Sequence, residues 1–353
     1  MYRNTYMEIY LDNIRDNVKK IINTYSNYEY YFGVVKADCY GHGIETVNSI
    51  IEGGCNYLAV AILEEALRIR QINKDIPILC LGNIKPDNLN ICIENNITVT
   101  INSLEYTEKL IDYNLNNLKA HIKINTGMNR LGINNINELN DILNILGRKN
   151  VIIEGIYTHI YEANNIDNTN KQLELFKNII MRTKFNFKIV HAQASDAITN
   201  FDKLDFINGC RLGIIMYGFN NKIKLKSTFK LISEVIQIHK FNNEQTIGYN
   251  GTYNVKKDDV IAVVAIGYDD GIIRKNKGRF VYINNNPYPI VGNICMDMLF
   301  IKVDENIKTY DKVEIIKDID HVYDISNHLD TIPYEILCLI GKRIPRIYKN
   351  TDI

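Results

Sequence analysis

The run Phe32-Gly33-Val34-Val35-Lys36-Ala37-Asp38-Cys39-Tyr40-Gly41-His42-Gly43 closes an apolar stretch with a lysine. Residues 31–35 read as a buried strand, so Lys36 stands at its end, where water is scarce. Burial disfavours an ammonium and moves its pKa toward neutrality, which leaves an amine able to form a Schiff base with an aldehyde. Taken alone, this pattern suits a surface lysine capping a strand better. Residues further along the chain reverse that preference.

Outward from Lys36, short apolar, β-branched runs alternate with segments of helical period, the signature of βα units and a parallel sheet. Strands are expected at 31–35, 57–62, 76–81, 97–101, 120–124, 151–157, 187–191 and 209–216, and helices at 44–51, 64–71, 85–94, 104–113, 136–146 and 168–183. Eight strands close a barrel of the (β/α)8, TIM-like kind, and the helices form its outer ring. Beyond residue 223 the pattern changes. Segments 229–239, 259–266, 278–283, 288–291, 298–303 and 312–316 read as strands separated by turns such as Asn284-Asn285-Asn286, with no long helix between them. The expected architecture is α/β, with a barrel over 1–223 and a mainly antiparallel β domain over 224–353. The alternating segment 6–11 precedes the barrel and is free to pair with that second domain.

Composition narrows the function classes. The 353 residues can bury a sizeable core, and Lys plus Arg equals Asp plus Glu at 41 each, which leaves no electrostatic footprint for nucleic acid or an anionic membrane. The partners expected are small molecules or other protein chains. The seven cysteines are scattered and never spaced as C-x-x-C, which argues against a disulfide framework or a structural zinc site and fits a reducing cytoplasm. The first 13 residues lack the apolar core of a signal peptide, and no run approaches the about 18–20 apolar residues of a membrane span.

Catalytic groups of a βα barrel sit at the C-terminal ends of its strands. There the chain places Lys36 with Tyr40 beyond it, Asn125 to Arg130, Thr158-His159, His191 to Ser195, and Arg211. Each has an ordinary structural explanation: a satisfied core histidine, an ion-pair arginine, a helix-capping serine. Five on one rim is a different matter. A lysine for an aldehyde, a hydroxyl and backbone amides for a phosphate, a histidine and two arginines describe a pyridoxal phosphate site better than a metal or nucleotide site. Gly213 and Ile214 supply amides close to Arg211, and neither a Walker-type run nor a G-x-G-x-x-G opening a helix is present.

Seven motifs then appear in order: Val34-Val35-Lys36-Ala37 to Tyr40-Gly41-His42-Gly43; Thr126-Gly127-Met128-Asn129-Arg130-Leu131-Gly132; Tyr157-Thr158-His159; Arg211 to Gly218; Ile266-Gly267-Tyr268-Asp269-Asp270-Gly271; Ile294-Cys295-Met296-Asp297; and Arg343-Ile344-Pro345-Arg346. On these the chain resembles the alanine racemase family from Tyr6 to Tyr348. The resemblance implies a pyridoxal 5'-phosphate enzyme that interconverts L- and D-alanine for peptidoglycan. Lys36 would hold the cofactor as a Schiff base and act as the base on one face of the substrate; Tyr249, in Gly248-Tyr249-Asn250-Gly251, would be the base on the other. It also implies a homodimer in which Tyr249, Met296 and the gate residue Tyr268 reach the partner's site. Arg211 would face the pyridine nitrogen with His159 hydrogen-bonded to it, Arg130 would bind the substrate carboxylate, and Tyr40, Ser195, Gly213 and Ile214 would cup the phosphate. Lys123 matches a lysine carbamylated in many relatives.

Four positions depart from the commonest family pattern: Asn125 for Asp, Ala194 for Asn, Leu212 for Pro, and Lys342 for a tyrosine that walls the substrate methyl pocket. The last bears on specificity, since an ammonium there either adds a charge to the phosphate or opens the pocket to a polar side chain such as serine's. Alanine is the expected substrate and serine the runner-up. A fold-related amino-acid decarboxylase fits less well, lacking here its glycine-rich phosphate loop. A non-catalytic pyridoxal phosphate carrier would lack the β domain and its tyrosines.

Overall fold

The computed structural model describes residues 2–350 and divides the chain into two compact units. One comprises 14–39 and 44–225; the other comprises the residues up to 13, 40–43, and those from 226 onward.

In the first unit, Tyr30–Val34, Tyr57–Val60, Ile78–Cys80, Ile97–Ile101, Lys119–Lys123, Ile152–Tyr157, Ile189–Ala194 and Gly209–Leu212 form a closed parallel barrel, the last strand pairing with the first. These strands lack a clean polar face because helices cover them outside and side chains fill them inside. The filling is aromatic: the His191 ring stacks between Phe32 at 4.6 Å and Tyr157 at 4.7 Å, and Phe32 stacks in turn on Tyr57 at 4.4 Å. Gly155 makes room for His121, since a Cβ there would lie 2.7 Å from its Cε1. Outside, Ile136–Arg148 buries Leu139, Ile142 and Leu146 at helical spacing, and the Asn135 side chain caps its first amides.

Two differences from the sequence-based expectation matter. The strand expected over 209–216 ends at Leu212, and Ile214–Tyr217 forms a tight helical turn instead. That run is buried on all sides, so its apolar character cannot distinguish strand from helix. A helix over Leu11–Thr24 also follows directly on the first strand, burying Ile14, Val18 and Ile21. The alternating segment ahead of it masks it by carrying a period-2 signal to residue 11.

The second unit is a mainly antiparallel sheet built on the long strand Phe229–Lys240, which pairs with Tyr6–Tyr10, Lys312–Ile316 and Val260–Val264. The irregularity between Val235 and Gln237 bends that strand so that it serves both ends of the sheet. Tyr6–Tyr10 thus joins this unit, as its alternation allowed, and pairs in parallel with Arg346–Lys349. Helices Ile319–Leu329 and Pro333–Leu339 follow the last expected strand; Asp318 caps the first and a proline opens the second. Among the described residues no helix is long and apolar enough to cross a membrane.

Candidate active site

The barrel unit gathers Lys36, Lys123, Arg130, His159, Ser195, Arg211, Gly213 and Ile214 on the C-terminal side of its strands. At its centre is Arg211, buried and held on every side. Its Nη2 donates to the carbonyls of Thr158 and Ala192, both at 2.8 Å, and lies 3.2 Å from His159 Nδ1; its Nη1 lies 2.7 Å from His191 Nδ1. Among the described residues its hydrogen-bond partners are carbonyls and imidazoles alone. Burial lowers its pKa to about 10, which leaves the guanidinium charged at neutral pH.

That charge orders the imidazoles. A guanidinium only donates, so His191 must accept at Nδ1 and carry its proton on Nε2. Nε2 then donates to His121 Nδ1 at 3.0 Å, and the proton of His121 is left on Nε2, a buried atom without a hydrogen-bond partner. Burial first and Arg211 second hold His121 at about 3, with His191 well below its ordinary value; His159 is held at about 3 by burial, then by Arg211, Arg130, Lys123 and Lys36. All three are neutral. Sequence reasoning marks the 191–195 strand end without singling out His191, and it misses His121; both lie on inward positions of barrel strands, the one signal available.

Lys123 is buried, and its amine is lowered to about 8 by burial and then by Arg130, Arg211 and Lys36. Every charge acting on it is positive. Cations therefore crowd one another around Lys123, an arrangement that an anion would relieve. Two residues after Arg211, the amide of Gly213 donates to Ser195 Oγ at 3.1 Å, and the turn Ile214–Tyr217 begins there with further amides. A hydroxyl and amides beside surplus positive charge suit a phosphate, and an amine at Lys36 suits an aldehyde, so the donor set fits pyridoxal phosphate.

The loop carrying Arg130 is shaped by Asn125. Its carbonyl oxygen accepts from the amides of Gly127 and Asn129, and its amide group donates to the side-chain oxygens of Asn129 and Asn134, both at 2.9 Å. An aspartate could make the first pair of bonds but not the second, so the substitution is matched by its asparagine neighbours. Gly132 closes the loop at φ 125°, where a Cβ would lie 2.6 Å from the Asn125 nitrogen. Thr126 and Thr158 share a hydrogen bond of 2.7 Å, and Gln172 Nε2 donates both to Thr126 and to the His159 carbonyl, tying the two strand ends together.

Tyr40, Tyr249, Tyr268, Met296 and Lys342 belong to the other unit. Tyr40 is buried, its ring 5.8 Å from that of Tyr334. Tyr249 crowns the hairpin of Gln245–Ile247 and Tyr253–Val255, which is anchored by Ile247 and Val255 in an apolar cluster with Phe300. Its carbonyl accepts from Asn293 at 2.9 Å. The amide of Tyr268 donates to the Cys295 carbonyl and that of Asp269 to the Met296 carbonyl, while the amide of Gly341 donates to the Asp270 carbonyl. Arg343 adds ion pairs to Asp269 and Asp297. Hydrogen bonds therefore join the segments carrying Tyr249, Tyr268, Met296 and Lys342 in one patch. The side chains themselves face out: Tyr249 is 69 %, Met296 51 % and Tyr268 40 % exposed, and Lys342 is exposed as well.

Comparison with known proteins covers both units. The family model for the alanine racemase N-terminal domain matches residues 9–221, and that for the alanine racemase C-terminal domain matches 228–348. The chain is similar to the alanine racemase of Streptococcus pyogenes, with 34 % identity over 98 % of this chain and 99 % of that protein, and to that of Staphylococcus epidermidis, with 32 % identity over 98 % and 95 %. It superposes on the crystal structure of alanine racemase from Bacillus anthracis with bound L-Ala-P at a TM-score of 0.93, with 32 % identity over 99 % of this chain and 96 % of that one.

Proposed function

The chain belongs to the alanine racemase family through both of its domains, and from that premise we propose how its residues act. It is a pyridoxal phosphate-dependent isomerase that interconverts L- and D-alanine. When bound, the cofactor withdraws electrons from the amino acid and so acidifies its α-proton. Lys36 would hold the cofactor and take or return that proton on one face, and the Tyr249 phenol of the partner subunit would do the same on the other. Two bases on opposite faces are what inversion requires. Ser195, the amides of Gly213 and Ile214, and Tyr40 would hold the phosphate, and His159 and Arg211 would serve the ring.

Arg211 gives the site its selectivity. A guanidinium held by neutral imidazoles and carbonyls keeps its protons, so Arg211 beside a bound cofactor's ring nitrogen would not protonate it, and the cofactor would supply only moderate electron withdrawal, which would limit side reactions. Arg130 receives the substrate carboxylate as a fork. The depressed amine of Lys123 suits carbamylation, since loss of its proton above about 8 exposes the nucleophilic lone pair; the added negative charge would steady Arg130. Met296 and the gate residue Tyr268 would reach the site from the partner in a homodimer with two shared sites, and Lys342 would stand at the wall of the substrate methyl pocket. The cysteines of the chain are all free, which agrees with a cytoplasmic enzyme supplying D-alanine for the cell wall.

The cation cluster around Lys123 and Arg211 carries this reading, together with the match over the whole chain. Incubating the protein with single L-amino acids and following enantiomeric excess tests it. L-Alanine should lose optical purity fastest. Release of carbon dioxide without racemisation would overturn the assignment in favour of a decarboxylase.

A further inference from the structure

Immediately after Lys36 the backbone enters a conformation that L-residues rarely adopt. Ala37, Asp38, Cys39 and Tyr40 have φ of 52°, 53°, 55° and 53°, and Gly41 comes next at 78°. With ψ of 49°, 51° and 48° at Ala37, Asp38 and Cys39, the segment is a turn of left-handed helix. Cβ crowds the following carbonyl oxygen in each of these residues, and such strain persists only where the surroundings over-determine it.

The restraints can be named. The amide of Ala37 donates to Glu65 Oε1 at 2.6 Å, while Glu65 Oε2 accepts from the amides of Ala61 at 2.8 Å and Ile62 at 3.3 Å. Asp38 pairs with Arg68 at 3.2 Å, and the Cys39 amide returns to the Val35 carbonyl at 3.1 Å. The Asp38–Arg68 pair lies at the surface, where such pairs contribute little, whereas the bond from Glu65 to Ala37 is short and charge-assisted. Glu65 also caps helix Leu63–Ile72, at whose third position it stands. One carboxylate oxygen does the capping; the other is committed to the turn.

We propose that Glu65 is a positioning residue for Lys36: its carboxylate pins the left-handed turn, and the pinned turn sets the direction in which the lysine leaves the strand end. The inference rests on Lys36 as the cofactor lysine. It also accounts for how one side chain joins the ends of the first two barrel strands, since Ala37 lies just past one and Ala61 just past the other.

Glu65→Gln separates the two duties. A glutamine oxygen can still cap the helix, but the amide nitrogen then facing Ala37 can only donate, so the turn loses its acceptor. The loaded full-length variant should lose the long-wavelength absorbance of its cofactor about tenfold to a hundredfold faster on dilution than the wild type, the range expected for removing a charge-assisted hydrogen bond. Its kcat should fall while KM for L-alanine holds. Ala37→Gly in the same variant should restore part of the retention, because glycine adopts left-handed φ without strain. Retention equal to wild type in Glu65→Gln, or no recovery with Ala37→Gly, overturns the proposal. A wild type that never shows the absorbance would instead sink the cofactor reading itself.

Discussion

The barrel rim and the patch on the C-terminal unit carry their candidate residues under opposite conditions. On the rim, Arg211 and Lys123 are buried, and Arg211 is tied by hydrogen bonds to His159 and His191. On the patch, the segments are firmly joined through Asn293, Asp269, Asp270 and Arg343, yet Tyr249 and Met296 point into solvent. A rim of that kind can tune pKa values within one chain. A patch of that kind offers a phenol on a firm scaffold whose surroundings are supplied from elsewhere. The contrast suits the proposed division of labour, in which one chain builds the electrostatics and a second copy brings in the exposed phenol.

Mixing variants is the hardest test of that division. Tyr249→Phe should lower kcat by about 10²–10⁴ in both directions while the cofactor absorbance persists, and Lys36→Ala should lose both. If each site takes its lysine from one chain and its tyrosine from the other, a heterodimer of the two variants carries one intact site, and random mixing restores about a quarter of the wild-type sites. No recovery on mixing would place both bases on one chain.

The barrel's buried imidazoles make a second test. The folded values of His121, His159 and His191 all lie below the ordinary histidine value, so the unfolded chain binds protons that the folded chain refuses. Stability is therefore full above about pH 6.5 and falls as pH drops, with each imidazole contributing up to about 1.4 kcal/mol per pH unit. In the C-terminal unit His321 is lowered as well, to about 4. Denaturant midpoints should decline between about pH 6.5 and 5, with amide exchange in the barrel strands accelerating before that in the C-terminal sheet. Flat midpoints over that interval would mean that the His191–His121 pair is not neutral.

Much of this was legible in the residues. Eight short apolar runs announced the barrel, and the motifs from Lys36 to Arg346 marked both the rim and the patch. What stayed hidden has physical reasons. The turn at Ile214–Tyr217 is as apolar as a strand, so its amides beside Ser195 could not be read from hydropathy. His121 looks like any residue of an alternating strand until Gly155, its partner on the neighbouring strand, shows the room made for it. The left-handed turn after Lys36 gives no compositional warning either, because a run of alanine, aspartate, cysteine and tyrosine is not one that favours positive φ.

The smallest effect is expected at Lys342, the position of the patch where this chain departs from the family's tyrosine. Its backbone is fixed: the Gly341 amide donates to Asp270, and Arg346 donates to the carbonyls of Gly341 at 2.8 Å and Ile344 at 2.6 Å. The side chain is exposed, so Lys342→Tyr should leave stability within about 0.5 kcal/mol of the wild type. If position 342 walls the substrate methyl pocket, the phenol narrows a space that an ammonium leaves polar. The ratio of kcat/KM for L-alanine over L-serine should then rise roughly tenfold, the low end of what one pocket contact discriminates. An unchanged ratio removes position 342 from the pocket, and a wild type that already prefers serine reverses the expected order of substrates.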